Sequence, residues 1–256
     1  MSKERIVIEI GQTGLGDSLL FSSLPELYVR ERDAEVHIRY ANFRNPGIAK
    51  LVWETNPFVT SIINEPGMGV DWQKFATLSI KYKNPIKTIE AYHGFEPRNM
   101  YPRLYNIHHS YKHELSDKIL IDPGAVTVNY QKEFIENFIN NLSNHLLLFS
   151  LDKCLVVEHD DTINHGQSLT RSDIFLDIPR IKSKDIFDFA SMIYSCDTFI
   201  GASSGSIPLA LAIKNSGPYP KNIFSCMANF QFNEKIWVWN DILYFTGNNQ
   251  CDEWPQ

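Results

Sequence analysis

The feature that most constrains the fold is a strand, a glycine turn and a helix start near the N-terminus. Residues 6–10 form an apolar run with the β-branched composition of a buried strand. The turn that follows, residues 11–16, holds three glycines that let backbone lie close to a ligand. Asp17 and Ser18 then precede apolar residues and are good N-cap residues for a helix. This order predicts Asp17 at the carboxyl end of a first strand, the edge where open α/β sheets bind ligands.

Four interpretations of this turn compete. A phosphate-binding P-loop needs a lysine where Asp17 stands, so an ATPase is disfavoured. A dinucleotide-binding turn needs the order GxGxxG, whereas the chain has GxxGxG. In the third interpretation Asp17 is a general base on an acceptor-binding ledge formed by Gly14, Leu15 and Gly16. In the fourth, Asp17 is only an N-cap, and the residues leave these last two open.

Composition excludes several classes of function. The 256 residues carry a net charge of −6, so no general attraction to nucleic acid or to anionic lipid is expected. No apolar run reaches the roughly 20 residues that cross a bilayer, and the N-terminus lacks the features of a signal peptide. The four cysteines are scattered without a CxxC pair, so we expect reduced thiols in a cytoplasmic protein, without a structural zinc.

The first half of the chain alternates strands with helices, which predicts a parallel sheet. Strands are expected at residues 35–40, 59–63 and 86–91, helices at residues 48–53 and 71–78, and a turn at residues 45–47.

Residues 92–118 carry many aromatic, histidine and arginine side chains. His93 and Arg98 are candidates for binding a sugar or a phosphorylated acceptor, by stacking and hydrogen bonding. His109 and His113 are one helical turn apart, which permits a metal pair. Because no further ligand accompanies them, we favour a partly exposed helix face, and we predict no metal site.

The second half begins a new α/β unit. Strands are expected at residues 119–121, 146–149 and 155–157, and an amphipathic helix at residues 134–142. Residues 158–165 are rich in acidic residues and histidines, which permits a metal site or an acid/base pair. We expect a solvated loop there.

A second turn, near residue 203, also has residues suited to binding a ligand. A strand at residues 198–200 runs into a turn of small residues and then an apolar helix with Pro208 in its first turn. The helix start offers free N–H groups and a positive dipole end, and small side chains let an anion approach. We therefore predict a phosphate site at Ser203, Ser204, Gly205 and Ser206. The alternative is a tight turn selected for helix–sheet packing.

Together these units predict two Rossmann-like domains, with parallel sheets facing a cleft, at residues 1–117 and 118–256. The chain also resembles the heptosyltransferase-type GT-B glycosyltransferases (glycosyltransferase family 9). The resembling motifs are Gly-Leu-Gly-Asp with Leu-Leu in residues 14–20, Leu-Pro-Glu-Leu in 24–27, Asn-Pro-Phe-Val in 56–59, Asp-Pro-Gly-Ala in 122–125, and the segment 196–210.

The resemblance implies inverting transfer of a sugar, for instance a heptose, from a nucleotide diphosphate sugar to a glycan, lipid-linked or protein acceptor, as in polysaccharide biosynthesis. No cofactor and no obligatory metal are implied, and peripheral membrane contact is compatible with it. Asp17 matches the general base, Ser204 and Gly205 match the diphosphate cradle, and Thr127 matches a position beside the phosphates. The chain departs from the family pattern at Ser203 and Pro208, and no lysine follows closely on Gly124.

These departures keep two alternatives open. One is a nucleotide-sugar hydrolase or epimerase on the same fold. The other is a catalytically inactive module that binds a nucleotide sugar.

Overall fold

The computed structural model describes residues 3–10, 14–39, 45–67, 71–123, 150–159, 177–202, 205–226, 242–245 and 251–252. The chain divides into two compact units. The N-terminal unit is Met1–His108 with Lys235–Val238, and the C-terminal unit is His109–Glu234 with Trp239–Gln256. No helix in these described ranges is long and apolar enough to cross a bilayer.

The N-terminal unit is an α/β layer built on a parallel sheet. Over the described residues its strands are β1 (Arg5–Glu9), β2 (Glu35–Arg39) and β3 (Ser61–Ile63), paired in the order β1-β2-β3. The helices are α1 (Leu15–Leu20), α2 (Leu24–Arg32), α3 (Pro46–Ile48) running into a π-helical segment (Ala49–Glu54), α4 (Trp72–Tyr82) and α5 (Pro85–Tyr92).

Burial along β1 and β2 shows where the apolar core of this unit lies. Ile6 and Ile8 on β1 and Val36 and Ile38 on β2 are buried; Val7 on the edge strand β1 is partly exposed, whereas His37 on the central strand β2 is buried. A period of two along a strand places such residues on one side of the sheet. Because β1 pairs with β2 and β2 with β3 in parallel, the predicted parallel sheet of the first half is confirmed.

Two predicted secondary-structure assignments in this unit are wrong, and the reason is the same. Residues 86–91 are not a strand, because they belong to α5, and residues 45–47 begin α3 instead of forming an isolated turn. Asn84 accepts hydrogen bonds from the amides of Ile86 and Lys87, and Asn45 accepts one from Gly47. An asparagine N-cap followed by proline in the first turn starts a helix at both places.

The C-terminal unit holds a larger sheet. Its strands are β4 (Ile119–Asp122), β5 (Cys154–His159), β6 (Arg180–Ser183), β7 (Thr198–Ala202), β8 (Asn222–Cys226), β9 (Leu243–Phe245) and β10 (Cys251–Asp252). Its helices are α6 (Ile186–Ser195) and α7 (Ser206–Ser216), with short 3₁₀ turns at His113–Leu115 and Leu151–Lys153. The predicted helix at residues 134–142 and the predicted strand at residues 146–149 lie outside the described residues.

Strand order in this sheet fixes where a ligand is expected. Among the described residues the order is β10-β9-β8-β7-β4-β5-β6, and all neighbours are parallel except β9 and β10. The chain runs from β4 outwards through β5 to β6, then returns to the other side of β4 to form β7 and β8. The order therefore reverses between β4 and β7, and open α/β sheets bind ligands at the carboxyl end of such a reversal.

Candidate functional site

Asp17 lies in the first turn of α1, directly after the glycine turn that follows β1. The N-cap of α1 is Gly14, in an extended conformation with φ −77° and ψ 163°. A Cβ on Gly14 would lie 2.9 Å from Oδ2 of Asp17, so the carboxylate rests against the backbone at the start of the helix. A negative charge in the first turn is stabilised by the helix dipole.

The prediction that Asp17 or Ser18 caps this helix is wrong, because Gly14 takes the N-cap position. Ser18 instead lies fully buried inside α1, where its amide donates to the carbonyl of Gly14 at 3.1 Å. Leu15 and Gly16, the rest of the predicted acceptor-binding ledge, are the first two residues of α1. Their role in binding an acceptor stays a prediction.

A charged pair lies at the same edge of this sheet. Glu9 ends β1, Arg39 ends β2, and the guanidinium of Arg39 is paired with the carboxylate of Glu9. The amide of Gly67, in the segment after β3, donates to Glu9 Oε2 at 3.2 Å. The hydrogen bond from Arg39 holds the pKa of Glu9 below its usual value.

His93 follows α5 and packs among aromatic rings. Its Nδ1 is hydrogen-bonded to the hydroxyl of Tyr28 at 2.9 Å, and its ring meets that of Phe21, the C-cap of α1, edge-on. Burial, with the nearby charges of Arg32 and Lys74, lowers the pKa of His93 to about 4. His93 is therefore a neutral imidazole at physiological pH, able to form hydrogen bonds without carrying charge.

Arg98 lies in the segment after α5, which a buried carboxylate holds in place. The amide of Arg98 donates to Glu90 Oε2 at 2.8 Å, and Asn99 also donates to Glu90 from its amide and its side chain. Glu90 is fully buried, whereas the side chain of Arg98 is exposed and its guanidinium is paired with Glu31. Binding of an acceptor by His93 and Arg98 stays a prediction.

The predicted helical pairing of His109 and His113 is wrong. Residues 109–112 are not helical, because this segment is held along α6: the amides of Ser110 and Lys112 donate to the hydroxyls of Ser191 and Ser195. His109 stacks on Tyr194 with ring centroids 5.0 Å apart, and the ring of His113 contacts Tyr111 edge-on. Over the described part of the chain, no group of three or more His, Cys, Asp or Glu side chains is placed to hold a metal ion.

In the C-terminal unit, Asp122 ends β4 and His159 ends the neighbouring strand β5. Nε2 of His159 lies 3.1 Å from Oδ1 of Asp122, and their side chains are only 6% and 3% exposed. The predicted solvated loop is therefore wrong at residues 158 and 159, which belong to β5; residues 160–165 lie outside the described residues. The loop was predicted because these two polar residues follow the apolar run of the strand.

Opposing influences act on the pKa of His159. Burial alone would lower it, but the charge of Asp122 and its hydrogen bond outweigh burial and raise it. The contact with Asp122 therefore favours the protonated imidazole more than burial alone would. Asp122 is also in register with Gly201 on β7, so the pair lies beside the reversal of strand order.

The start of α7 follows β7 at this reversal. Gly205 is the N-cap, Ser206 is buried as the first helical residue, and Pro208 lies in the first turn. A Cβ on Gly201 would lie 2.9 Å from Cδ1 of Ile207, so glycine there lets the helix start lie against the strand. The phosphate site at Gly205 and Ser206 stays a prediction, and Ser203, Ser204 and Thr127 lie outside the described residues.

Sequence reasoning missed the charged pairs at both sheet edges. Glu9 and Arg39 are 30 residues apart in the sequence, and Asp122 and His159 are 37 apart. A usable signal was present, because each of these residues comes at the end of an apolar strand. Residues in that position meet at one edge when the strands are parallel.

Comparison with solved structures shows which fold this is. TibC, an iron-containing dodecameric glycosyltransferase from enterotoxigenic E. coli, aligns with a TM-score of 0.64 at 13% identity, over 95% of this chain and 63% of TibC. TibC has also been solved in complex with ADP-D-β-D-heptose, where the TM-score is 0.58. This chain therefore spans less than two thirds of TibC.

Two further structures align over most of both chains. A family 9 glycosyl transferase from Veillonella parvula gives a TM-score of 0.52 at 10% identity, over 94% of this chain and 86% of that one. E. coli heptosyltransferase WaaC with ADP gives 0.54 at 6% identity, over 94% and 92%. No protein-family model and no curated protein sequence matches the chain.

These likenesses, with the two parallel sheets and their helices, confirm the predicted α/β fold of heptosyltransferase-type GT-B glycosyltransferases.

Proposed function

We propose that this chain is a glycosyltransferase that moves a sugar from a nucleotide diphosphate sugar to a glycan, lipid-linked or protein acceptor. The fold it shares with TibC, WaaC and the family 9 enzyme supports this class of reaction. TibC has been solved with ADP-D-β-D-heptose and WaaC with ADP, so an adenosine diphosphate sugar, for instance a heptose, is our proposed donor.

In the proposed mechanism, Asp17 takes the proton from the acceptor hydroxyl as that oxygen attacks the anomeric carbon. The observation that carries the proposal is the position of this carboxylate after the first strand of the N-terminal unit, against the bare backbone of Gly14. That is the edge where α/β sheets bind ligands. Asp17 is not the N-cap of α1, and a carboxylate that accepts the proton of an acceptor hydroxyl acts as a general base.

The leaving nucleotide diphosphate is proposed to bind at the start of α7. The first amides of a helix and its dipole stabilise developing negative charge without any rearrangement during the reaction. Gly205 and Ser206 open α7 beside the reversal of strand order, which supports this location. The displaced bond is the one between the anomeric carbon and the diphosphate oxygen, so attack from the opposite face inverts the configuration.

The test is release of nucleotide from a panel of ADP, GDP and UDP sugars, with and without candidate acceptors. Asp17→Asn should reduce turnover by about 10²- to 10⁴-fold while leaving donor affinity unchanged, because it removes only the base. Asp33→Asn is a matched control. Asp33 is an exposed residue at the C-cap of α2 with a φ of 48°, a conformation that asparagine also adopts readily.

Other outcomes identify the alternatives. Tight binding of a nucleotide sugar without turnover favours an inactive binding module, and sugar or nucleotide release without acceptor favours a hydrolase or epimerase. Full activity in Asp17→Asn would exclude Asp17 as the base.

A further inference from the structure

The buried pair of Asp122 and His159 is the strongest feature that the proposed mechanism does not use. Both residues end neighbouring strands, and their side chains are almost completely buried at a separation of 3.1 Å. The imidazole ring also packs edge-on against Phe189 of α6 at 4.6 Å between ring centroids. Nδ1 of His159 is buried and has no hydrogen-bond partner among the described residues.

The place of this pair matters because it lies where the donor is proposed to bind. Asp122 is in register with Gly201 of β7, and α7 begins shortly after β7 ends. Adjacent strands are about 4.8 Å apart, so His159 on β5 is about 10 Å from the end of β7. A diphosphate at the start of α7 would therefore sit within the range over which a buried charge acts strongly.

The pair also adjoins the segment that leaves β4. Pro123 directly follows Asp122 in the sequence, and Asp122 is the last residue of β4. A carboxylate at this point would repel a diphosphate, since like charges in a medium of low dielectric constant raise the free energy of binding.

We propose that His159 is a positioning residue for the donor, whose imidazolium neutralises the Asp122 carboxylate so that a nucleotide diphosphate sugar binds beside it without opposing a buried negative charge. The proposal rests on the proposed function. It assigns no proton transfer to His159.

The other charged groups on the surrounding elements already have partners. Oε1 of Glu158 on β5 accepts a hydrogen bond from the guanidinium of Arg180 on β6 at 2.5 Å. The β6 residue in register with His159 is the uncharged Ser183, which follows Lys182 in the strand. On α6, Asp185 caps the helix and Asp188 pairs with Lys112 at 2.7 Å. Asp122 therefore remains the described charge that directly contacts the imidazole, and it raises the pKa of His159 against the effect of burial.

The experiment measures the Kd of ADP-glucose, GDP-mannose and UDP-glucose by calorimetry for the full chain and its variants. The diphosphate of these probes is a diester, so its charge is constant between about pH 6 and about pH 9. For whichever probe binds, His159→Gln should weaken binding about tenfold, the order expected when one unit of nearby charge changes. The double variant His159→Gln with Asp122→Asn, which removes both charges, should recover affinity to within about twofold of the unaltered chain.

The pH dependence supplies a second readout. Affinity of the unaltered chain should fall as pH rises and His159 loses its proton, and affinity of the double variant should not depend on pH. Thermal unfolding of each variant shows whether a change in affinity comes from misfolding, and a merely structural pair would not give an affinity that depends on pH in the unaltered chain and not in the double variant.

Two results would overturn the proposal. Binding that is unchanged in a folded His159→Gln variant, or not recovered in a folded double variant, rejects the role of His159 and leaves the proposed function intact. Absence of binding of all three probes to the unaltered chain rejects the proposed function and this inference together.

Discussion

His93 in the N-terminal unit and His159 in the C-terminal unit are both packed against aromatic rings, yet their pKa values move in opposite directions. Burial lowers the pKa of both. Around His93 the nearby charges of Arg32 and Lys74 are positive, and they lower its pKa further. Beside His159 the Asp122 carboxylate raises the pKa by more than burial lowers it. The sign of the neighbouring charge, more than burial itself, decides the direction in which the pKa of these two buried histidines shifts.

The largest expected effect comes from breaking the buried pair in the C-terminal unit. Asp122→Ala should lower the free energy of unfolding by about 3 kcal/mol, because it leaves a buried imidazole without its counter-charge. The pKa of His159, followed by NMR, should then fall below its usual value, as that of His93 does. A loss below about 1 kcal/mol, or a pKa that stays raised, would show that Asp122 is not the cause of the difference.

The second effect concerns His93 in acid. Its pKa of about 4 lies below the usual 6.5, so the unfolded chain binds a proton that the folded chain excludes. The stabilisation is present above pH 6.5 and is lost as the pH falls towards about 4. We expect a loss of roughly 2 kcal/mol across this window, after allowing for partial exposure of the ring.

Denaturant titrations of the unaltered chain and of His93→Gln at several pH values measure this loss of unfolding free energy in acid. The substituted chain should lack this part of the acid sensitivity. An NMR titration with a midpoint near 6.5 for His93 would contradict the expectation.

The third effect compares the carboxylates of the two units. Asp122 contacts the imidazole of His159, whereas Asp17 lies against the backbone of Gly14. Gly14→Ala would put a Cβ 2.9 Å from Oδ2 of Asp17, so the carboxylate must move. Alanine is otherwise tolerated, because φ is −77° at this position.

We therefore expect kcat to fall about tenfold in Gly14→Ala, about 1.4 kcal/mol in activation free energy, with the donor Kd unchanged. Steady-state kinetics and donor titration check this, with thermal unfolding as the control for folding. An unchanged kcat would mean that the position of Asp17 does not limit turnover.

The sequence predicted the local parts of this structure better than the contacts between them. The glycine turn and the strand before it predicted the position of Asp17 because both are set by neighbouring residues. The helix α5 was missed because its apolar residues fit a strand as well, and only the Asn84 cap with Pro85 distinguishes the two.

The charged pairs could not be predicted from neighbouring residues in the sequence. Their partners lie 30 and 37 residues apart, and only strand order brings them together. Glu9 and His159 each looked like an ordinary polar residue after an apolar run. Whether such a residue is solvated or buried depends on the strands beside it, and sequence periodicity carries no information on that.

The smallest expected effect is at the partly exposed pair of Glu9 and Arg39, each with a side chain 27% exposed. Glu9→Gln should cost less than about 1 kcal/mol, because water already solvates both charges. The pKa of Glu9 is lowered, chiefly by its hydrogen bond from Arg39. Its contribution to stability is therefore present above the unfolded pKa near 4.5 and is lost as the pH falls through the folded value.

His159, whose pKa is raised, has the opposite pH dependence, because its contribution to stability is lost as the pH rises through its folded value. Unfolding of Glu9→Gln and His159→Gln across the pH range should therefore remove an acid-side and an alkaline-side loss, respectively. If the stability of both variants depended on pH in the same way, the sign of the neighbouring charge would not set the direction of the pKa shifts of Glu9 and His159.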